Sequence, residues 1–266
     1  MSKIKAYALS NIGNVRENHE DNFFVPKSFF IDSETQKNIK TSDTFIENEY
    51  IGMDGVFAVC DGMGGHKAGE VASRLAVEKI SAEYEKLLKA DKDALIKFAT
   101  NLNNFICDYS EKNIDCSNMG STFSALVFDD KNDVSMLHIG DSRIYLYKDK
   151  TLKQISTDHT EGKRLVDAGI IKIENLPKFP NRKALYKYLG RKGELIADFE
   201  KYTTTSKDRY IIASDGLSDT LEDEEIKNII ADKKEPKEVC HSLIDACLKK
   251  GQKCSDNVTI VCIDIE

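Results

Sequence analysis

The chain has 266 residues, of which 41% are hydrophobic and 31% are charged, values typical of one globular domain with a sizeable core. Its net charge of −7 argues against a nucleic-acid partner. No apolar stretch approaches the roughly 20 residues of a membrane span, and none follows Met1 as a secretion signal would. We therefore expect a cytoplasmic protein without a membrane partner.

The seven cysteines include no Cys-x-x-Cys pair. Several lie in apolar runs, and Cys240 and Cys247 are spaced to share one face of a helix. Zinc sites usually contain closer ligand pairs. The pattern predicts reduced, packed thiols rather than a zinc site.

Apolar periodicity predicts the elements of the first half of the chain. Two long stretches carry apolar residues at helical spacing, and three short apolar runs are typical of strands. Residues 27–50 are polar, and we predict a long surface loop insertion or an irregular hairpin there. The predicted strands cover 5–10, 22–25 and 56–60, and the predicted helices cover 69–88 and 91–113.

The second half begins with three strand-like runs separated by short polar gaps, which predict an antiparallel meander. A short helix, an irregular charged segment with two prolines, two strands, two helices and a last strand follow. In chain order, the predicted segments are 122–128, 134–139, 143–147, 160–168, 175–188, 195–202, 210–213, 222–230, 236–250 and 257–263.

Runs of strands followed by runs of helices favour an α+β fold over alternating βαβ units. We predict a single domain over residues 1–266 with a central antiparallel β-sandwich. Helix pairs would flank both faces, giving four layers in the order αββα. A flap over about residues 158–190 would lie next to the functional site.

Acidic residues recur at the ends of predicted strands. Asp61 directly follows the apolar run 56–60, and Asp141 and Asp215 follow two later apolar runs in the same way. Any one of these could be a turn former or a helix cap. Together with the pair Glu20-Asp21 and with Asp256 they favour a metal site, because clustered carboxylates without cations would destabilise the fold.

Oxygen ligands without histidine or cysteine favour Mg²⁺ or Mn²⁺ over zinc. Two such ions about 3.5–4 Å apart can hold a phosphate for in-line displacement. Arg16 lies four residues before Glu20 and is a candidate for gripping that phosphate, since arginine binds phosphate in a bidentate way.

Seven short segments of the chain form an ordered set of motifs. They are Arg16-Glu17-Asn18-His19-Glu20-Asp21, Asp61-Gly62-Met63-Gly64-Gly65-His66, Gly120-Ser121-Thr122, Gly140-Asp141-Ser142-Arg143, Thr157-Asp158-His159-Thr160, Ser214-Asp215-Gly216-Leu217 and Asp256-Asn257. No single motif is decisive, but with all of them in this order and spacing along nearly its whole length, the chain resembles the metal-dependent protein phosphatases of the PPM (type 2C) family, in their bacterial branch.

The resemblance implies metal ligands by position. Asp61 would bridge two Mn²⁺ or Mg²⁺ ions, and the Gly62 carbonyl would bind one of them. Asp215 and Asp256 would complete the second. The remaining implied ligands are Glu20, which would act through water, and Asp141, which with Asp215 would hold a third, weaker ion.

It also implies roles for other residues. Arg16 would bind the substrate phosphate, so the implied catalytic residues are Arg16, Asp61 and Asp215. Asp21 and Asn257 would support the site from behind the ligands. Some relatives place a histidine after the Asp-Gly pair as an acid for the leaving alcohol, whereas this chain has Met63 there and a histidine only at His66.

The implied function is hydrolysis of phosphoserine and phosphothreonine in proteins by a hydroxide that bridges the two ions. Phosphorylated proteins and a cognate Ser/Thr kinase would be the partners of a monomeric enzyme. Two alternatives stay open. One is a pseudophosphatase that only binds its partner, and the other is a phosphatase for a dedicated small-molecule or regulator phosphate. The basic flap is interpreted either as a dock for a phosphorylated partner or as a solvated surface.

Overall fold

Two antiparallel sheets lie face to face, with helices packed on both outer faces. The structure is a computed structural model that describes residues 3–26, 45–64 and 68–266. Within those residues each sheet has six strands, so the predicted α+β sandwich is confirmed. None of the helices in the described ranges is long and apolar enough to cross a bilayer.

The first sheet contains both the first and the last strand of the chain, and every neighbouring pair in it is antiparallel. In spatial order its strands are β3 (Phe45–Gly52), β1 (Ile4–Asn11), β12 (Val258–Ile265), β11 (Arg209–Ala213), β8 (Arg143–Lys148) and β9 (Thr151–Gln154).

The second sheet packs against the first, and its neighbouring strands are also antiparallel. The two-residue strand β5 (Gly120–Ser121) pairs only with the end of β4. In spatial order the other strands are β10 (Asp198–Thr203), β7 (Asp133–Ile139), β6 (Phe123–Phe128), β4 (Gly55–Met63) and β2 (Asp21–Phe24).

The long helices form a pair on each outer face, as the four-layer prediction requires. α1 (Ala68–Leu87) and α2 (Lys92–Lys112) cover the second sheet, and α5 (Asp223–Asp232) and α6 (Pro236–Lys249) cover the first. Two short helices connect other elements: α3 (Glu161–Asp167) and α4 (Asp215–Thr220). The 3₁₀ turns are Ile114–Cys116, Ile173–Lys178 and Gly251–Lys253.

Apolar side chains fill three layers of core: one between the sheets and one under each helix pair. Between the sheets, the rings of Phe57, Phe128 and Tyr210 meet edge to face at 5.7 and 5.4 Å. Aromatic pairs in this geometry add to the stabilisation by buried area. The thiols of Cys240 and Cys247 are free and buried under α6, as predicted.

The predicted three-strand meander is wrong at its third strand. β6 and β7 pair as expected, but β8 lies in the other sheet, where it pairs with β11. The chain crosses between the sheets at Gly140–Ser142, and Gly140 has a φ of +109° that a side chain would disfavour. Strand periodicity does not reveal which sheet a strand joins, so the sequence alone could not predict the crossing.

Of the two alternatives predicted for 27–50, a long loop or an irregular hairpin, the loop is wrong in its second part. Residues 27–44 lie outside the described ranges, but 45–52 form β3, which pairs with β1 along its whole length. An edge strand is stabilised by backbone hydrogen bonds and leaves many side chains in water. Glu47 and Glu49 are accordingly exposed while Tyr50 is buried. This polar exterior gave the strand the appearance of a loop.

Two short elements were also missed. β9 follows β8 through a two-residue turn in which Asp149 and Lys150 have φ of +49° and +62°, the conformation of a hairpin turn that twists with its strands. α4 begins at Asp215, directly after β11. Both elements are too short to show a clear period.

Candidate active site

The predicted site residues meet at one end of the sandwich. They come from four strand ends or adjacent loops and the first turn of α4, and they line a cavity of about 390 Å³. Flap residues 183–185 form another part of its wall. The predicted residues in the wall are Arg16, Glu20, Asp61, Gly62, Asp141, Asp215 and Asp256.

Asp61 is held within β4 by a reciprocal pair of contacts with the next strand. Its amide donates to Thr122 Oγ1 at 2.8 Å, and the Thr122 amide donates back to the Asp61 carbonyl at 2.8 Å. Gly62 lies inside β4. A Cβ on Gly62 would lie 2.1 Å from the carbonyl oxygen of Gly69. Glycine is therefore required there because α1 approaches the strand so closely.

Asp215 and Asp256 are brought together by a second close approach. A Cβ on Gly216 would lie 2.0 Å from the Asn257 carbonyl oxygen, so the first turn of α4 touches the backbone beside Asp256. Asn257 does not line the cavity. Its side chain accepts a hydrogen bond from the Glu20 amide at 2.7 Å and donates to the carbonyl of Asn18 at 3.1 Å.

Asp21 lies behind the cavity wall and joins both sheets. In β2 it is paired in register with Asp61, and its carboxylate accepts hydrogen bonds from Ser214 and Thr259, both at 2.7 Å. It is 1% exposed, and burial raises its pKa to about 7. Neither Asp21 nor Asn257 lies in the cavity wall, and both form hydrogen bonds with segments that carry residues of the wall.

The carboxyl groups in the wall repel one another and are poorly solvated. Burial raises the pKa of Glu20 to about 7. Burial first, and then neighbouring carboxylates, hold the pKa values of Asp61 and Asp215 well above their ordinary range. Protons or cations must therefore neutralise this cluster at neutral pH.

The donor set fits a hard divalent cation. Asp215 Oδ1 is buried and has no hydrogen-bond partner among the described residues, and such an oxygen is costly to bury unless something binds it. No three acidic, histidine or cysteine side chains in the described ranges already surround one point. The carboxylates line the cavity wall without converging on one point, so a bound cation would have to bring them closer together.

Arg16 is half-exposed and forms contacts with two acidic residues of the cavity wall. Its Nη2 donates to Asp256 Oδ2 at 2.7 Å, and its Nη1 lies 3.9 Å from Glu20 Oε2. The hydrogen bond to Asp256 raises the pKa of Arg16. The side chain is 47% exposed at the mouth of the cavity, where a phosphate could reach it.

Asp141 stands on the crossing between the sheets, at the side of the cavity nearest the flap. Burial raises its pKa to about 7, with repulsion from Asp158 and Asp219 as the next causes. Sequence reasoning missed Asp219. Its spacing of four residues from Asp215, one helical turn, was the available signal, but α4 itself was not predicted.

A sequence profile for the family described as Protein phosphatase 2C matches residues 32–246, most of the chain. The chain belongs to the protein phosphatase 2C family. The matched range excludes Arg16, Glu20 and Asp256, so the placement of these three residues depends on the geometry above.

Bacterial members of the protein phosphatase 2C family are close in sequence and in structure. The chain is 37% identical over 215 residues to the serine/threonine protein phosphatase PstP of Mycobacterium tuberculosis. It is 31% identical over 214 residues to the serine/threonine phosphatase stp of Listeria welshimeri. Each alignment includes 79% of this chain, but 40% of the mycobacterial protein and 84% of the Listeria protein.

A solved structure of the catalytic domain of PstP, in complex with two manganese ions, matches with a TM-score of 0.77. The two chains are 31% identical, and the match covers 99% of each. The chain therefore spans the length of that catalytic domain and less than half of the complete mycobacterial relative.

In this phosphatase 2C family member, no histidine lines the cavity among the described residues. Met63 lies in the wall, and His66 is outside the described ranges. His19 is buried: its Nε2 lies 2.9 Å from Ser10 Oγ and its Nδ1 lies 3.1 Å from the Asp21 carbonyl oxygen. Burial lowers its pKa to about 4, so His19 is neutral at pH 7 and unsuited to be a general acid.

Several positive side chains on the flap of this family member are paired with acidic side chains, within the flap or on the neighbouring sandwich. Lys183 is hydrogen-bonded to Asp219 of α4 and thereby joins the flap to the cavity wall. This pairing weakens the interpretation of the flap as a general basic dock. The other paired cations are Lys163 with Asp167, Arg164 with Glu161 and Lys187 with Asp198.

Proposed function

We propose that the chain is a Mn²⁺- or Mg²⁺-dependent phosphatase that hydrolyses phosphoserine and phosphothreonine in proteins. One observation carries the proposal: buried carboxylates line a single cavity, and Asp215 Oδ1 in its wall has no partner among the described residues. Family membership supports it, as do the relatives named serine/threonine phosphatases. The manganese-bound PstP domain supports the choice of metal.

The residues that would hold the ions are those that the resemblance implies. Asp61 and the Gly62 carbonyl would share the first ion with Glu20, which would act through water. Asp61, Asp215 and Asp256 would hold the second, and Asp141 with Asp215 a third, weaker one. When bound, such cations lower the pKa of water and neutralise charge on a phosphoryl group.

Arg16 would orient the substrate. In the structure its guanidinium is paired with Asp256 at the mouth of the cavity. A phosphate at the mouth offers two oxygens to the planar guanidinium, which can bind both through parallel N–H groups. The single hydrogen bond to Asp256 uses only one of these N–H groups. We infer that Arg16 exchanges part of its contact with Asp256 for the phosphate. The proposal assigns no side chain as the general acid.

A kinetic test uses a phosphothreonine peptide with Mn²⁺ and, separately, with EDTA. We expect Asp61→Asn and Asp215→Asn each to lower kcat by at least about 100-fold, because residues behind metal ligands already cost about 10–100-fold. Asp130→Asn, at an exposed acid outside the cavity, is the matched control. Full activity in EDTA, or in both variants, would contradict the proposal.

The same assay separates the alternatives. A pseudophosphatase would bind the phosphopeptide and release no phosphate. A phosphatase for small molecules would hydrolyse an aryl phosphate and neglect the peptide. Phosphorylated proteins are the proposed substrates, and the Ser/Thr kinase that makes them is the implied counterpart.

A further inference from the structure

His159 lies at the base of the flap and is bonded on both sides of its ring. The residue is 2% exposed. Its Nδ1 accepts a hydrogen bond from the Gly140 amide at 2.9 Å, so the ring proton is on Nε2, which donates to Asp198 Oδ2 at 3.0 Å. The His159 amide also donates to the Gly140 carbonyl at 2.8 Å.

Gly140 begins the crossing that carries Asp141 into the cavity. A Cβ on Gly140 would lie 2.6 Å from Thr122 Cγ2, and Thr122 Oγ1 lies 2.7 Å from Ser142 Oγ at the other end of the crossing. The turn that presents Asp141 is thus held by His159 on one side and by Thr122 on the other.

The flap meets the same imidazole ring. The Tyr186 amide donates to the His159 carbonyl at 3.0 Å, and the two rings meet edge to face at 5.6 Å. Lys187 donates to the second oxygen of Asp198 at 2.5 Å. On its other face the His159 ring stacks on His138 at 4.9 Å. Backbone and ring contacts of His159 therefore connect Tyr186, and Lys187 through Asp198, to Gly140. We expect movement of the flap at Tyr186–Lys187 to shift Gly140.

We propose that His159 is a positioning residue through which the flap sets the orientation of Asp141, and with it the affinity of the weaker cation site. This inference rests on the proposed function, since Asp141 matters in this way only if the cavity holds cations. It predicts that the flap and the weaker ion are linked, while the two tighter ions are independent of His159.

Two substitutions separate the bonds of the ring. In His159→Asn the amide oxygen takes the place of Nδ1 and can still accept from Gly140, but the contact with Asp198 is lost. In His159→Gln the amide nitrogen reaches the place of Nε2 and can still donate to Asp198, but no acceptor faces Gly140. The two variants are similarly conservative in a buried site, so their difference reports which of the two bonds, to Gly140 or to Asp198, supports the weaker cation site.

The experiment is a titration of each protein with Mn²⁺, in which the electron paramagnetic resonance signal of free Mn²⁺ gives the number and affinity of sites. Asp141→Asn identifies the weak class. We expect His159→Gln to weaken that class by about 10-fold or more and His159→Asn to keep it within about threefold, by analogy with residues that orient metal ligands. The tight class should not change in either variant.

His138→Gln is the matched control, because His138 is equally buried and its ring contacts Ser124 and the Thr157 carbonyl rather than Gly140. Equal weakening in His138→Gln, His159→Gln and His159→Asn would overturn the proposal, as would an unchanged weak class in His159→Gln. If His159→Gln does not fold, Asp198→Ala, at a 40% exposed side chain, removes the same contact as His159→Asn and leaves Nδ1 facing the Gly140 amide. It should keep the weak class within about threefold, and weakening by about 10-fold or more would overturn the proposal.

The outcomes also distinguish this inference from the proposed function. If the unaltered protein binds no Mn²⁺ in the tight class, the proposed function fails. If the tight class is present and the affinity of the weak class is unchanged in the His159 variants, only the positioning role fails.

Discussion

The carboxylates around the cavity have unusual pKa values because they are buried close to one another, and not because of their residue type. Asp141 and Asp215 follow apolar strands and Asp61 lies near the end of one, positions where aspartate commonly forms turns or caps. Their burial in one wall raises the pKa of each above its usual range. Asp215 Oδ1, which has no hydrogen-bond partner within the described ranges, would gain from a bound cation.

The raised pKa values predict how the stability of the metal-free protein depends on pH. The folded state binds protons at Glu20, Asp21 and Asp141 more tightly than the unfolded chain does. Their stabilising effect is complete below the unfolded pKa of about 4 and is lost as pH rises through about 7. In EDTA, the melting temperature should therefore fall between pH 6.5 and 8.5.

The range from pH 6.5 to 8.5 avoids the opposing effect of two buried histidines on stability. His19 and His138 have pKa values lowered to about 4 by burial, so they stabilise the fold above the unfolded pKa of about 6.5 and cease to do so as pH falls. Asp141→Asn should flatten the dependence between pH 6.5 and 8.5, and Mn²⁺ should raise the melting temperature more at pH 8.5 than at 6.5. A chelated protein that is more stable at pH 8.5 than at 6.5 would refute this electrostatic account.

Most of the site acids could be predicted at this scale because their motifs are local. Glu20, Asp61, Asp215 and Asp256 each carry neighbours that signal a strand end or a tight approach. His159 could not be assigned its contacts, since they join it to residues 19 and 39 positions away. Tertiary partners of this kind leave no local pattern.

At the scale of elements, the helices were predictable and the sheet membership was not. α1 and α2 show apolar residues at helical spacing, and the structure places them within one or two residues of the predicted bounds. β8 has the alternation of a strand, but no local feature distinguishes pairing with β7 from pairing with β11. The polar edge strand β3 was missed because edge pairing needs few apolar side chains.

One ion pair ties α5 to the first sheet and gives a prediction on stability. Arg209 in β11 is 8% exposed and forms two hydrogen bonds with Asp264 of β12. Its guanidinium also donates to three carbonyls around the end of α5, those of Ile230, Lys233 and Lys234. Arg209→Ala would leave the Asp264 carboxylate and these carbonyls without their donor.

We expect Arg209→Ala to lower the free energy of unfolding by about 3–5 kcal/mol, the usual effect of breaking a buried pair. Arg209→Lys should recover only part of this, because an ammonium lacks the forked geometry. Urea denaturation measures both. Lys227→Ala, which removes an exposed pair with Glu224, is the control and should change stability by less than about 1 kcal/mol. Equal effects in the two alanine variants would argue against the capping role.

At the scale of the whole molecule, several contacts among the described residues join the flap to the sandwich, and three of them lie close to proposed metal ligands. Its end pairs with Ser121 beside Thr122, which holds Asp61. Its base contacts Gly140 through His159, and Lys183 bonds to Asp219 of α4. Each contact ends near a proposed metal ligand, so we expect the position of the flap and the geometry of the proposed metal site to be linked.

The Lys183 contact predicts an effect opposite to that of His159→Gln. Its ammonium lowers the pKa of Asp141, and it neutralises Asp219 nearby. Removing this positive charge in Lys183→Met should tighten the weak class of Mn²⁺ sites by about two- to fivefold, the range expected for an exposed ion pair. Lys178→Met, at another exposed flap lysine, is the control in the same Mn²⁺ titration. Weaker binding in Lys183→Met would show that the bridge supports the site instead of competing with cations.

The central claim is that the carboxylate cavity is a centre for two cations. Anomalous diffraction at the manganese edge, from crystals soaked in Mn²⁺, tests it most directly. We predict two strong peaks about 3.5–4 Å apart, both in contact with the Asp61 carboxylate, with Asp215 and Asp256 binding the same one. Peaks elsewhere on the surface, or a cavity without a peak at saturating Mn²⁺, would contradict the claim.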